Sequence, residues 1–210
     1  MEERAAVERL KRGDIGGLEP LVRSHHARAV KAAYLVVRDR ALAEEVAQAA
    51  FLKACEKIGG FDLDRPFGPW FMRIVINDAT KAATKRELAY SREVPGAEEA
   101  LLRLADPGAG PQEAAERAEA RRRVWDALKT LPPAQRAAVV GRYYLRMSVT
   151  EMAENVSSPP GTIKSRLHAA RDRLSKLLRP EFRVDEEPPA WERAKPLGAS
   201  TEFAGKEEGR

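Results

Sequence analysis

From Leu18 onward, apolar residues return every three or four positions: Leu18, Leu21, Val22, Ala29, Val30, Ala33, Tyr34 and Val37. That is the helical period, so the stretch predicts an amphipathic helix behind a short charged leader closed by Gly16-Gly17. A second helix is predicted after Asp39 from Leu42, Val46, Ala50, Phe51, Ala54 and Ile58, and Gly59-Gly60 ends it. Phe61 to Pro69 holds two prolines, a glycine and two aspartates, which predicts a loop leading into a third helix from about Trp70. That helix starts apolar and ends basic, with Arg73, Lys81, Lys85 and Arg86 against Asp78. From Glu87 the charge turns acidic, and Asp106 to Pro111 is turn material without periodicity, which places a linker there. An acidic linker is either simply solvated or folds back on basic neighbours. Helical pattern resumes at Gln112, reaches the Leu131-Pro132-Pro133 break, and continues over Pro133 to Tyr144.

The next stretch is the most informative. Ser148 with Glu151 three residues on is a capping box, opening a short helix from Val149 to about Asn155. Ser157-Ser158-Pro159 then supplies a turn, a candidate N-cap and a proline for the first turn of a helix from about Pro159 to Leu178. A short helix, a tight turn and a longer basic helix make a helix-turn-helix pattern. The second of these helices carries Lys164, Arg166, Arg171, Arg173, Lys176 and Arg179 against Asp172, with Ile163, Leu167, Leu174 and Leu178 as its apolar stripe. Its early exposed positions, Thr162, Lys164, Ser165 and His168, are placed to meet DNA base edges. Arg166 and Arg171 suit phosphates. A solvated basic helix in an unrelated bundle is the plain alternative.

Composition narrows the class. Aromatics are 6% of the 210 residues, and Val, Ile and Thr do not gather into alternating runs, which disfavours a sandwich or barrel. The expected fold is all-α: two small helical domains joined by a flexible linker, the C-terminal one containing the helix-turn-helix. The boundaries are a leader over 1–14, a first domain over 15–90, a linker over 91–111, a second domain over 112–180 and a disordered tail over 181–210. The net charge of +5 suits an anionic partner. The N-terminus has acids where an export signal has only positive charge, and no apolar run spans a bilayer, so the chain is expected to be cytoplasmic without membrane insertion. The single cysteine, Cys55, reads as core. His25-His26 lacks metal spacing and reads as a surface pair. With no phosphate-binding glycine loop or nucleophile-base pair, we expect no catalytic residue, metal, cofactor or small-molecule substrate, and no enzyme activity.

The order Glu44-Glu45-Val46, Gln48, Phe51, then Phe61, Pro66-Phe67, then Trp70-Phe71-Met72-Arg73-Ile74 and Asn77 resembles domain two of extracytoplasmic-function (ECF) RNA polymerase sigma factors. The segment Gly161-Thr-Ile-Lys-Ser-Arg-Leu167 resembles their domain four, and the two blocks together span roughly residues 15 to 180. The resemblance implies a subunit that binds polymerase core, at the clamp of the largest subunit and the flap of the second-largest, and directs it to promoter DNA. It implies that Glu44, Glu45 and Gln48 face the clamp while Phe51 packs inside. It implies that the loop from Phe61 through Arg65 to Phe67 captures a flipped base of the melted −10 strand. Asn77 matches the position that reads a −10 base, and Arg73 and Lys81 would hold the backbone. Trp70 and Ile74, one turn apart, either contact bases or pack the domain. The −35 element falls to Thr162, Lys164, Ser165, Arg166, His168 and Arg171. An anti-sigma protein is a further partner the resemblance implies.

This chain departs from the family pattern at Ser157, where the turn usually has glycine, at Ser158, and at Ala169-Ala170-Arg171, where Arg-Ala-Arg is usual. Either the backbone at Ser157 avoids a left-handed conformation or serine tolerates it with strain. The −35 interaction is therefore expected to be weaker than the family norm or different in specificity. A rival reading is a free-standing helix-turn-helix regulator that binds an operator as a dimer without polymerase.

Overall fold

The computed structural model describes residues 2–89 and 111–178. Helix α1 spans Glu2–Lys11, α2 Leu18–Val37, α3 Arg40–Lys57, α4 Phe67–Ala89, α5 Pro111–Lys129, α6 Pro133–Val139, α7 Val149–Asn155 and α8 Pro160–Leu178. A wide π turn, Val140–Tyr144, follows α6. No strand occurs among the described residues, so the fold is all-α in two helical regions. The expected linker, apart from Pro111, and the tail lie outside the described residues.

The leader forms structure that its charge density concealed. In α1, Ala6, Val7 and Leu10 are buried on one face and join the main core. Gly17 makes this possible, because a Cβ there would run into the Ala6 carbonyl oxygen. Helices α2, α3 and α4 pack on one another, and α1 packs on α2 and α4; Phe51, Phe61, Phe67 and Phe71 are buried together. Between α2 and α3, Arg38 takes a left-handed φ of 62°. Asp39 then caps α3, accepting from the Leu42 amide at 2.8 Å. That amide, with Arg86 at 2.7 Å, holds the Asp39 carboxyl below the usual carboxylate range. Cys55 is half-buried against this core, and burial pushes its thiol up.

The third helix begins at Phe67, earlier than Trp70, with Pro69 inside its first turn. A proline there sacrifices no helical hydrogen bond, because first-turn amides have no intrahelical acceptor. The later helices have cores of their own: Met147, Met152, Ile163 and Leu167 in one, Leu128, Leu131, Val139 and Ala170 in another. They also enter the main core through Trp125, Ala137 and Val140, with Trp125 stacked on Tyr34 at 4.7 Å and 6°. The two regions are therefore packed into one unit within Met1–Leu178.

The capping box is present: Glu151 Oε2 accepts from the Ser148 amide at 2.8 Å, and the Glu151 amide donates to Ser148 Oγ at 3.1 Å. Ser158 does not cap α8. Its hydroxyl donates to the Val156 carbonyl, and the helix starts at Pro160. Ser157 takes φ 48°, so of the two backbone alternatives serine does occupy the left-handed region. Replacing it with glycine removes the Cβ clash but frees the unfolded chain, so Ser157→Gly should stabilise by about 0.5–1 kcal/mol. Thermal melting checks this; an unchanged or lower midpoint would mean that the serine side chain compensates the strain.

Candidate nucleic-acid interface

Arg73, Asn77 and Lys81 stand four residues apart on α4 and form one stripe. Lys81 is exposed, and Arg73 and Asn77 are half-buried. What covers the latter two is α7. Arg73 Nη2 donates to Glu151 Oε1 at 2.7 Å, with Glu154 4.0 Å from Nη1. Asn77 Nδ2 donates to both the carbonyl and the Oδ1 of Asn155 at 2.8 Å, and Asn155 Nδ2 donates back to the Arg73 carbonyl at 3.2 Å. Glu151 thus divides its carboxylate between its own helix cap and a guanidinium on α4. Burial raises its pKa, but the Ser148 amide and Arg73 outweigh burial and hold it below the usual range.

The loop before α4 presents an outer and an inner side. Asp62, Asp64, Arg65 and Pro66 are exposed, whereas the rings of Phe61 and Phe67 are 5% and 2% exposed. Those two rings therefore shape the loop from beneath, and in this conformation they are not surfaces on which a base could stack. Trp70 lies 4.8 Å from Phe61 and 5.5 Å from Phe67, and with Ile74 it packs against the core. Arg65 reaches outward and pairs with Asp62 at 3.5 Å.

On α3, Glu45 and Gln48 are exposed on one face, and Glu44 beside them pairs with Arg40 at 3.0 Å. Leu52, one turn past Gln48, is 63% exposed. Its place in an apolar run hid it from the sequence reading. The outward side of α8 has Lys164, Ser165, His168 and Arg171 exposed and Thr162 and Arg166 half-buried, with Ile163, Leu167 and Ala170 beneath. Ser165 Oγ donates to the Thr162 carbonyl at 2.9 Å, and His168 lies 3.5 Å from Asp172.

His25 is a correction to the sequence reading. It is not a surface residue: its side chain is 12% exposed, and Nε2 lies 2.8 Å from Glu3 Oε2. The apolar residues of α1 to α4 left no sign that this ring would be needed at their junction. Among the described residues there is no group of three or more metal-ligating side chains, and no helix is long and apolar enough to cross a membrane.

Two family models match this chain: "Sigma-70 region 2" over residues 21–88 and "Sigma-70, region 4" over residues 121–174. The first covers the α2–α4 bundle and its stripe, the second the helix-turn-helix. The chain is 31% identical over 186 residues to the RNA polymerase sigma-H factor of Pseudomonas aeruginosa, covering 87% of this chain and 96% of that one. It is 28% identical over 177 residues to the ECF RNA polymerase sigma factor SigW of Bacillus subtilis, covering 82% and 95%. Among solved structures, its fold is similar to CnrH in complex with the cytosolic domain of CnrY, with a TM-score of 0.57 at 23% identity, covering 87% of this chain and 100% of that one. It is similar also to the sigma factor RpoE in complex with the anti-sigma factor NepR from Bartonella quintana, at 0.57 and 21%, covering 78% and 99%. The chain belongs to the sigma-70 family of RNA polymerase sigma factors, in its ECF type. It is a transcription initiation factor that directs promoter recognition, and the free-standing regulator reading is not favoured.

Proposed function

We propose that α3 docks on the clamp of the polymerase's largest subunit through Glu45, Gln48 and the exposed Leu52, with Glu44 at the edge. The helix-turn-helix region approaches the flap of the second-largest subunit. Arg65, Arg73, Asn77 and Lys81 engage the melted −10 strand on a loop shaped by Phe61 and Phe67, and Thr162, Lys164, Ser165, Arg166, His168 and Arg171 engage the −35 duplex. The observation that carries this reading is that one chain presents a cation-amide-cation stripe on α4 and an outward basic face on α8. An unpaired base exposes both a hydrogen-bonding edge and a face, which suits the former, while the latter has the form of a helix that enters a major groove. RNA synthesis itself is the polymerase's reaction. Because α7 covers Arg73 and Asn77, strand binding requires α7 to leave that face. An anti-sigma protein is the further partner, on the analogy of the Bartonella sigma factor solved with NepR, and the cytoplasm, where polymerase works, is the proposed location.

The test is to mix the purified chain with sigma-free core polymerase and a pool of genomic promoters. A stable complex that starts RNA at new sites supports the reading; tight duplex binding by the free chain with no polymerase complex overturns it. Within the complex, Arg166→Ala should lower −35 affinity and reduce the salt slope by about 1 if the contact is to phosphate. Salt titration of binding checks it, and an unchanged slope would remove Arg166 from the phosphate contacts.

A further inference from the structure

We propose that α1 is the positioning element of the base-capture loop: Glu3 and Lys11 hold the loop's two ends and preset it for the unpaired −10 base. The proposal rests on the −10 reading above. Lys11 Nζ donates to the Phe61 carbonyl at 2.7 Å, at the loop's first residue. The Phe67 amide, just past its last residue, donates to Glu3 Oε1 at 3.2 Å.

The second contact answers a local deficiency. The residue before α4 is Pro66, which offers no side-chain acceptor to the unpaired amides of the first turn. Glu3 supplies the acceptor from α1, 64 residues away, and sets a carboxylate at the positive end of the helix. Its other oxygen, Oε2, lies 2.8 Å from His25 Nε2. The His25 ring sits 5.5 Å from Phe67. Gly68 leaves room for it: a Cβ there would come within 3.0 Å of His25 Cε1. Helices α1 and α2 thus converge on the start of α4.

The hydrogen bonds from α1 fall at the two ends. Between them Asp62 Oδ1 accepts from the Asp64 amide at 3.0 Å, Leu63 packs on the core, and Asp62, Asp64, Arg65 and Pro66 stay exposed, with Arg4 of α1 4.0 Å from the Asp64 carboxylate. A loop with fixed ends and an exposed crown loses less conformational freedom when a base enters it, so the clasp acts on affinity for the strand without touching DNA. Glu3, Lys11 and His25 are positioning residues in this sense.

The experiment uses the full chain with core polymerase and a promoter fragment recovered from the genomic pool, carrying 2-aminopurine in the unpaired −10 strand. Glu3→Ala and Lys11→Met should each weaken strand binding about fivefold to tenfold, as expected for loss of one charge-assisted hydrogen bond. Core affinity, −35 duplex affinity and melting temperature of the free chain should stay close to the parent. Glu3→Gln keeps an acceptor for the Phe67 amide and should remain within about twofold. Strand binding by Glu3→Ala equal to the parent overturns the proposal, as does a parallel loss in every readout, which would make α1 a general stabiliser. If the parent complex itself does not engage the strand, the −10 reading fails, and amide hydrogen exchange judges the clasp alone. Faster exchange across residues 61–67 in Glu3→Ala then supports it, and unchanged exchange overturns it.

Discussion

An Asn155→Ala chain is expected to bind single-stranded −10 DNA about tenfold more tightly than the parent when free of polymerase. The side chain of Asn155 accepts from Asn77 and donates to the Arg73 carbonyl, and each bond contributes about 0.5–1.5 kcal/mol. Losing both shifts the balance between covered and uncovered stripe by one to two powers of ten, and apparent affinity follows the uncovered fraction. The Asn155 backbone carbonyl still accepts from Asn77, which keeps the effect at the lower end. Bound to polymerase, where the proposed function has the stripe uncovered, parent and variant should converge. Fluorescence polarisation with a labelled strand, in the presence and absence of core, checks both statements; equal affinities of the two free chains would mean that α7 does not control access. Acid is not the natural release. The Glu151 carboxyl is held below its ordinary value, so its contribution is complete above the unfolded pKa and is lost only as pH falls through the lower folded one. Near neutral pH, protonation of Glu151 therefore does not uncover the stripe.

Arg136→Met is expected to stabilise the chain against unfolding by about 1–2 kcal/mol, because it removes a buried guanidinium with unsatisfied donors while the Glu87 carboxylate left behind is half exposed. The Arg136 side chain is 1% exposed, and among the described residues it pairs through Nη2 with Glu87 Oε1 at 3.1 Å. Its Nε and Nη1 are buried without a hydrogen-bond partner among the described residues. Burial, and Arg38 nearby, pull its pKa below an arginine's usual range, against the opposing pull of Glu87. The cost of taking the guanidinium out of water is thus only partly offset. Since Glu87 belongs to α4 and Arg136 to α6, that cost falls on the packing of the two helical regions. Relieving it should also favour the covered stripe, so Arg136→Met should lower free-chain affinity for the −10 strand while Asn155→Ala raises it. Denaturant titration and the same polarisation assay read the two effects, and a destabilised Arg136→Met would show that Glu87 compensates the burial in full.

Which features were legible follows from how local each one is. The helix periods of α2 and α3, the Ser148 and Glu151 cap and the basic face of α8 are written within spans of three to eight residues, where backbone geometry alone decides which side chains share a face. The left-handed Ser157 was visible as a pair of alternatives, and the backbone settled between them. Helix α1 was missed because Ala6, Val7 and Leu10 are thinly spread among charges. Phe61 and Phe67 were expected at the strand, and the fold turned their rings inward, since in a loop rich in proline and aspartate they supply, with Leu63, the apolar support.

Composition and periodicity were enough to establish an all-α chain with a helix-turn-helix and a third helix that ends basic. Only the folded chain decided that Asn77 meets Asn155 across 78 residues, that Glu3 caps a helix 64 residues away, and that Arg136 is buried between two regions. The reason is physical. A helix repeats its geometry every turn and so marks its buried face on the sequence, whereas a polar pair formed by packing leaves no period, because each member would be equally at home in water.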